Sequence, residues 1–391
     1  MMRDARSAPI VSPGARARTP RLLFAAYMAG GNGTILQNLE DQIRGRPDVD
    51  PAWVRVEMDA ESRRLDRRPR RALVPGTIRN SMITGREIRK LENDGRRFDA
   101  AYFFQQTICL FLWRFRSRVP YVIALDGTPL WYAKNELWYA VPRFNPRTPA
   151  SRVKHALTRR VYAGAFHLLP LSASCRQSLI EDYAIPPERI TVMPPGIDVR
   201  TFSCPDRGER AREGRRLQLL FVGADFLRKG GDLLVELARQ PQFANVQFNF
   251  VTRAYRGPSA ENIRVFDDLT PNSPRMIALF READLFVLPT RADSHAIATL
   301  EAMAMGLPAI SSPVGGVVDV IEDGTTGYLV PKDDRAALAD RIRRLIADPA
   351  LRMRMGIAGR ERVEHRFNAE TIAVAVVDLL KRAAASRSRS P

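Results

Sequence analysis

Cysteine and histidine are scarce in this chain: 391 residues include three cysteines and four histidines. Cys109, Cys175 and Cys204 are scattered, odd in number and form no C-x-x-C. Neither a disulfide framework nor a structural zinc site is therefore expected. Each reads as a small buried hydrophobe in a reducing compartment. The histidines show no H-x-H or H-E-x-x-H spacing, which argues against a metal centre. Long apolar runs are also missing. Nothing approaches the roughly 18–20 residues of a membrane span, and the nearest candidate, Ile108–Trp113, is stopped by Arg114, Arg116 and Arg118. Met1–Pro20 lacks the apolar core of a secretion signal and reads as a disordered basic arm. Acidic residues are in deficit, 43 against 61 Lys+Arg, for a formal net charge of +18. Such a balance suits anionic partners, and equally an Arg-rich composition with no particular partner. No zinc-finger, RNA-recognition or helix-turn-helix pattern is present, so nucleic acid is not the expected partner.

What is present is a globular composition, 45% apolar and 27% charged, in a chain long enough for two cores. Leu22–Ala26 is a short apolar run, followed by Gly30-Gly31-Asn32-Gly33 and a helical stretch with Ile35, Leu36 and Leu39. Strand, glycine loop and helix open a doubly wound sheet, although the spacing is not G-x-G-x-x-G. Further strands are expected at Trp53–Met58, Ala100–Phe104, Tyr121–Leu125 and after His167, then a helix over Ala173–Tyr183 and a strand over Ile190–Met193. Glu61–Arg71 reads as basic loop or surface, and Asp48-Val49-Asp50 as a solvated turn rather than a metal-binding D-x-D. Residues 203–216 have linker composition. The alternation then restarts with strands at Leu217–Val222, Val246–Val251, Ala283–Leu288, Ala309–Ser311 and Tyr328–Val330, and a helix from Gly230 to Ala238. The expected organisation is an arm at 1–20, a first Rossmann-like domain at 21–200 and a second at 201–368. A helix about Ala369–Lys381 needs a surface to pack on, and Ala383–Pro391 reads as a disordered basic tail. Two mostly parallel α/β halves facing each other enclose a cleft at their strand ends.

The densest chemical signal runs from Leu288 to Pro308. A strand ends at Pro289, a loop carries Asp293, and a helix starting near Ala296 carries Glu301 until Gly306 and Pro308 stop it. Asp293 and Glu301 have seven residues between them and can line one pocket. The helix N-terminus offers unpaired amides and a positive dipole to a diphosphate. Carboxylates accept hydrogen bonds from ribose and sugar hydroxyls.

This segment resembles the E-x7-E motif of the retaining glycosyltransferases of GT-B fold, family 4. Glu301 matches the second acid, which the resemblance implies holds the nucleotide ribose. Asp293 stands where the first acid contacts the donor sugar, an Asp in place of the usual Glu. Ser294, His295 and Ala296 replace the usual Gly-Phe-Gly, with Ile297 after them. Phe221–Gly231 resembles the loop that sets an Arg and a Lys on the donor diphosphate. Gly223 and Lys229 match, but Ala224 stands in the place of the usual Arg, leaving Arg228 to supply charge. Val192–Asp198 resembles the segment closing the first domain, and Pro313–Gly316 with Glu322–Gly327 resembles the run "PVGG…EDGxTG". In the first domain, Gly30 and Gly31 sit where the acceptor-side glycine loop lies. Asp126 stands at a strand end where many members have a His, and Ser172 matches a serine at a helix start.

The resemblance implies a nucleotide-sugar-dependent hexosyltransferase, cytoplasmic and retaining, with a UDP- or GDP-linked donor and a glycan or lipid-linked acceptor. Asp293, Glu301, Lys229 and Asp126 are the expected catalytic set. No metal or cofactor is implied, because Lys229, Arg228 and the helix start supply the fixed charge. The arm Met1–Pro20 and the basic stretches Arg63–Arg71 and Arg114–Arg118, with Phe111, Leu112 and Trp113 nearby, suit contact with an anionic membrane at the inner face of the cell. A non-catalytic nucleotide-sugar or polyanion-binding GT-B protein stays open as the second reading.

Overall fold

The computed structural model describes residues 18–28, 31–57, 76–134, 148–203, 215–257, 260–295 and 297–387. Gly30, Ala296, Cys204, the stretch 63–71 and most of the basic arm and linker lie outside them.

The apolar runs fold as short parallel strands. The first sheet contains β1 (Arg21–Tyr27), β2 (Asp50–Val56), β3 (Ala100–Phe104), β4 (Tyr121–Leu125) and β5 (His167–Pro170), ordered β2-β1-β3-β4-β5. β3 and β4 are buried at every position, the signature of strands covered on both faces. Helices of eight residues or more are α1 (Asn32–Ile43), α2 (Gly76–Asn93), α3 (Pro149–Gly164) and α4 (Ala173–Glu181). The second sheet holds β6 (Leu217–Val222), β7 (Val246–Val251), β8 (Ile263–Phe266), β9 (Leu285–Leu288), β10 (Ala309–Ser311) and β11 (Gly327–Leu329), ordered β11-β10-β9-β6-β7-β8. With it go α5 (Gly231–Ala238), α6 (Pro274–Glu282), α7 (Ile297–Ala304), α8 (Arg335–Ala347) and α9 (Pro349–Arg366).

The last helix, α10 (Ala369–Arg387), returns to the first domain. Its Ala373, Val376, Val377, Leu380 and Ala383 share a core with Leu22, Phe24 and Leu36. The chain thus passes between the domains twice, and the passages touch. Ile197 N donates to Phe367 O at 2.7 Å, and Ala369 N donates to Ile197 O at 3.0 Å. Gly196 is needed there: a Cβ would lie 2.6 Å from Ala369 Cα. Arg360 bolts this region to the second domain by donating to the Val199, Phe202 and Ala304 carbonyls.

Several sequence expectations are corrected. Ile190–Met193 is not a strand, although Thr191 N and Met193 N donate to Leu168 O and Pro170 O. The return bond of that ladder needs the amide of residue 170, and proline has none. Helix α10 continues through Ala383–Arg387, carried by an alanine run and the burial of Ala383. Asp48 does lie in a turn with its side chain 37% exposed, held there by Arg46 and Lys381, whereas Asp50 is not in that turn but opens β2. Those two cations hold the Asp48 carboxyl well below the usual range. Strands β2, β9 and β11 begin or end within a few residues of the expected limits.

Candidate active site

In an open α/β sheet, ligands bind beyond the strand carboxyl ends where the strand order reverses. The reversal lies between β1 and β3 in the first sheet and between β6 and β9 in the second. The chain after β1 carries Gly31, and the end of β4 carries Asp126. The loop after β6 carries Gly223 and Lys229, and the loop after β9 carries Asp293. These two switch points face each other across one cleft of about 850 Å³.

Gly31, Asp126, Gly223, Arg228, Lys229, Asp293, Ser294, His295, Ile297 and Glu301 all line that cleft. Every expected site residue among those described is therefore in one place. Gly30 and Ala296 lie outside the described residues.

The second-domain wall is built on a glycine turn. Gly230 has φ +76°, and a Cβ on it would fall 2.1 Å from Pro289 O, so the loop bearing Lys229 closes tightly on the end of β9. Lys229 Nζ donates to Asp293 Oδ2 at 2.5 Å. Burial draws the Lys229 ammonium below its ordinary pKa, and the adjacent Asp293 opposes that shift. Arg228 is braced rather than loose: its Nε donates to Asp225 Oδ2 at 3.0 Å and its Nη1 to Ala292 O at 2.9 Å. Its side chain stays 19% exposed and borders the cleft.

Glu301 sits on α7 with 5% exposure. No hydrogen bond reaches its carboxyl among the described residues, and burial alone pushes its pKa up to about 8. A buried acid with no partner, facing a cleft, keeps its full hydrogen-bonding capacity on that side. His295 accepts or donates through Nδ1 to Ser294 Oγ at 3.0 Å. Its Nε2 points at the first domain, 3.5 Å from where a Gly31 Cβ would stand. Burial lowers its pKa and Lys229 adds to this, while Asp126 and Asp293 oppose, so the imidazole is biased toward the neutral form.

On the opposite wall, Asp126 is 6% exposed and accepts from Gln105 Nε2. Gln105 holds φ +83°, an uncommon conformation for a non-glycine residue, at the end of β3. Sequence reasoning missed Gln105 and Gln106, and it also missed Tyr132, Lys154, Pro271 and Met276, which line the cleft too. A polar pair directly after a fully apolar strand was the available signal for the glutamines. Pro271 and Met276 carry none, being ordinary apolar residues in sequence.

The Pro313–Gly316 run locks the loop after β9. Gly315 has φ +50°, and a Cβ there would lie 1.8 Å from Asp293 O. Gly315→Ala is expected to cost about 2–4 kcal/mol of stability and displace Asp293. An unchanged melting temperature would show that this loop yields freely. Across the cleft, Asp319 Oδ2 accepts from Ala173 N at 2.8 Å, tying the second domain to the start of α4, where Ser172 caps the helix.

Two family models cover most of the chain. Residues 44–201 match the glycosyltransferase family 4 model, and residues 205–362 match the model of glycosyl transferases group 1. The D-inositol 3-phosphate glycosyltransferase of Xylanimonas cellulosilytica is 30% identical over 301 residues, covering 67% of this chain and 71% of its own. The chain belongs to the group 1 glycosyltransferases, family 4. The family member of the same name from Pseudarthrobacter chlorophenolicus is 31% identical over 247 residues, 58% of each chain. The matched stretch thus spans less than two thirds of that relative's length. Among solved structures, sucrose-phosphate synthase from Thermosynechococcus elongatus superimposes with a TM-score of 0.69 at 18% identity, over 94% of this chain and 100% of its own. Anabaena HepE in complex with UDP and glucose gives 0.68 at 16% identity, over 93% and 100%. These likenesses show the GT-B fold expected of the family. Among the described residues, no helix is long and apolar enough to cross a membrane, and no three His, Cys, Asp or Glu cluster as a metal site.

Proposed function

We propose that this chain transfers a hexosyl group from a UDP- or GDP-linked sugar to a glycan or lipid-linked acceptor, with retention of configuration, in glycan biosynthesis. One observation carries the reading: Lys229, Asp293 and Glu301 line a single cleft whose other wall holds Asp126. Glu301 receives the ribose hydroxyls, which satisfies a buried acid that has no partner of its own. Lys229 meets the diphosphate. An ammonium has three donors, so it can keep Asp293 while turning to a phosphate oxygen. Arg228, fixed by Asp225 and the Ala292 carbonyl, adds charge at the same end. Developing negative charge on the departing diphosphate is stabilised by these fixed cations, and no metal is needed for it. Asp293 lies beside Lys229, where the sugar attached to that diphosphate has to sit. His295 and Ser294 border the same space, and Gly31 and Asp126 face the acceptor. Closure of the two walls excludes water that would otherwise hydrolyse the donor. The enzyme works in the cytoplasm, with its first domain against the inner face of the cell membrane.

Thermal shift against a panel of UDP-, GDP- and ADP-sugars tests the donor half. A donor present at about 100 times its Kd stabilises the fold by about 2.7 kcal/mol. Glu301→Ala is expected to abolish the shift. Silence across the whole panel, or a shift that survives Glu301→Ala, overturns the reading.

A further inference from the structure

The first domain carries an exposed apolar ridge set among arginines. Met82 is 62% exposed, Phe111 40% and Trp113 64%. Four contacts run the segment 107–118 alongside α2. Ser81 Oγ donates to Thr107 O at 2.8 Å and accepts from the Phe111 amide at 3.4 Å. Leu112 fills the space over Gly85, where a Cβ would meet its Cδ2 at 2.9 Å. Arg118 Nη2 donates to Glu92 Oε1 at 3.2 Å. Phe111 and Trp113 are therefore exposed on a segment that runs beside the helix exposing Met82. Helical spacing puts Arg86 and Arg89 on the same stripe as Met82, and both are exposed. The Arg114 guanidinium lies over the Trp113 ring, 4.9 Å from its centroid. Among the described residues, none of Arg86, Arg89 and Arg114 has an acidic partner.

Isolated exposed hydrophobes are ordinary. Three on neighbouring segments, including a tryptophan with an arginine over its ring, match the chemistry of the bilayer interface, where aromatic rings sit among headgroups and arginines meet lipid phosphates. The patch also leads somewhere: Thr77 at the start of α2, with Thr107 and Leu110, lines the active-site cleft.

We infer that this ridge seats the first domain on an anionic bilayer. Trp113, Phe111 and Met82 enter the headgroup layer, and Arg86, Arg89 and Arg114 engage lipid phosphates. This deepens the membrane side of the reading above, on which it rests for its purpose. An acceptor anchored in the same bilayer then reaches the cleft at its Thr77–Leu110 edge without leaving the membrane. A bilayer is favoured over an acidic protein because the ridge ends at the half of the cleft where a surface-held acceptor has to arrive.

Cosedimentation of the full chain with vesicles of phosphatidylcholine alone, and with phosphatidylglycerol added, tests the inference at low salt. Binding is expected only to the anionic vesicles. Arg86→Gln with Arg89→Gln should weaken it roughly 30-fold, about fivefold for each arginine. Trp113→Ala should weaken it roughly tenfold. These positions lie outside the cleft lining, so the donor-induced thermal shift should stay intact in both variants. That separates failure of the membrane surface from failure of the donor site. Absence of vesicle binding overturns the inference and leaves an acidic protein as the occupant. Variants that bind as well as the parent also overturn it, since the basic arm alone would then be responsible.

Discussion

Lys229→Ala is expected to lower kcat for sugar transfer about 10²–10³-fold, the loss typical of removing one fixed group that stabilises developing negative charge. In the proposed reaction the leaving group is a diphosphate, and Lys229 is the buried cation set to meet it. Its geometry leaves little room for substitutes. Gly223 packs so closely on it that a Cβ would stand 3.0 Å from Lys229 Cβ and Cγ. Lys229→Arg, which needs space for a planar fork, should therefore fail to rescue transfer. Removing the lysine also strands Asp293, whose side chain is only 6% exposed. Breaking a buried pair from one side costs about 3–5 kcal/mol, less where the cleft admits water. The double variant Lys229→Ala/Asp293→Ala should recover most of that stability while transfer stays lost. The double-mutant cycle thus separates the structural role of the pair from the charge the lysine supplies. If transfer persists in Lys229→Ala with kcat within a few-fold of the parent, the diphosphate lies elsewhere.

Donor affinity should rise with pH until about pH 8 and then level off. Burial holds Glu301 protonated until about 8 in the free protein. Two ribose hydroxyls donating to the carboxylate favour its ionised form, so binding releases a proton. Below the free-state value, each pH unit then costs about tenfold in Kd. The same group sets a stability trend with the opposite sense. Its folded pKa lies above its unfolded value, so its contribution is fully present below the unfolded pKa of an ordinary glutamate. It is lost as pH rises through about 8. The unliganded protein should therefore weaken across that window, and bound donor should flatten the slope. Glu301→Gln removes both trends. Isothermal titration in buffers of differing ionisation enthalpy counts the released proton directly. A Kd independent of pH in the parent would show that Glu301 does not meet the ribose.

The parts of the fold legible in the sequence were those with an unambiguous local pattern. Leu285–Leu288 is a continuous apolar run ended by proline, and Asp293 and Glu301 follow at a spacing that fixes both on one wall. Helix α2 escaped notice because the face it buries, Asn80, Ser81, Thr84, Gly85 and Ile88, is small and polar, so no apolar period marks it. Helix α9 buries Met355, Gly356, Gly359 and Val363, where two glycines again hide the stripe. Strand β8 has four residues with two exposed, too short and too mixed to separate from loop. In the site, Asp293 and Glu301 were readable from the strand, loop and helix that carry them in sequence, and Lys229 from its resemblance to the family's diphosphate loop. The pairing of Lys229 with Asp293 was not, since it spans 64 positions and exists only once Gly230 lets the two loops meet.

The return of α10 to the first domain has a consequence for engineering. The second domain is an insertion between residue 197 and residue 368 rather than the back half of a linear tandem. A chimera that trades donor specificities by one cut in the linker would carry off a helix belonging to the recipient's core, uncovering Leu22, Phe24 and Leu36. Two cuts, at the crossing where Ile197 bridges Asn368, leave that helix with the recipient. Modularity in this architecture is that of a cassette held at both ends.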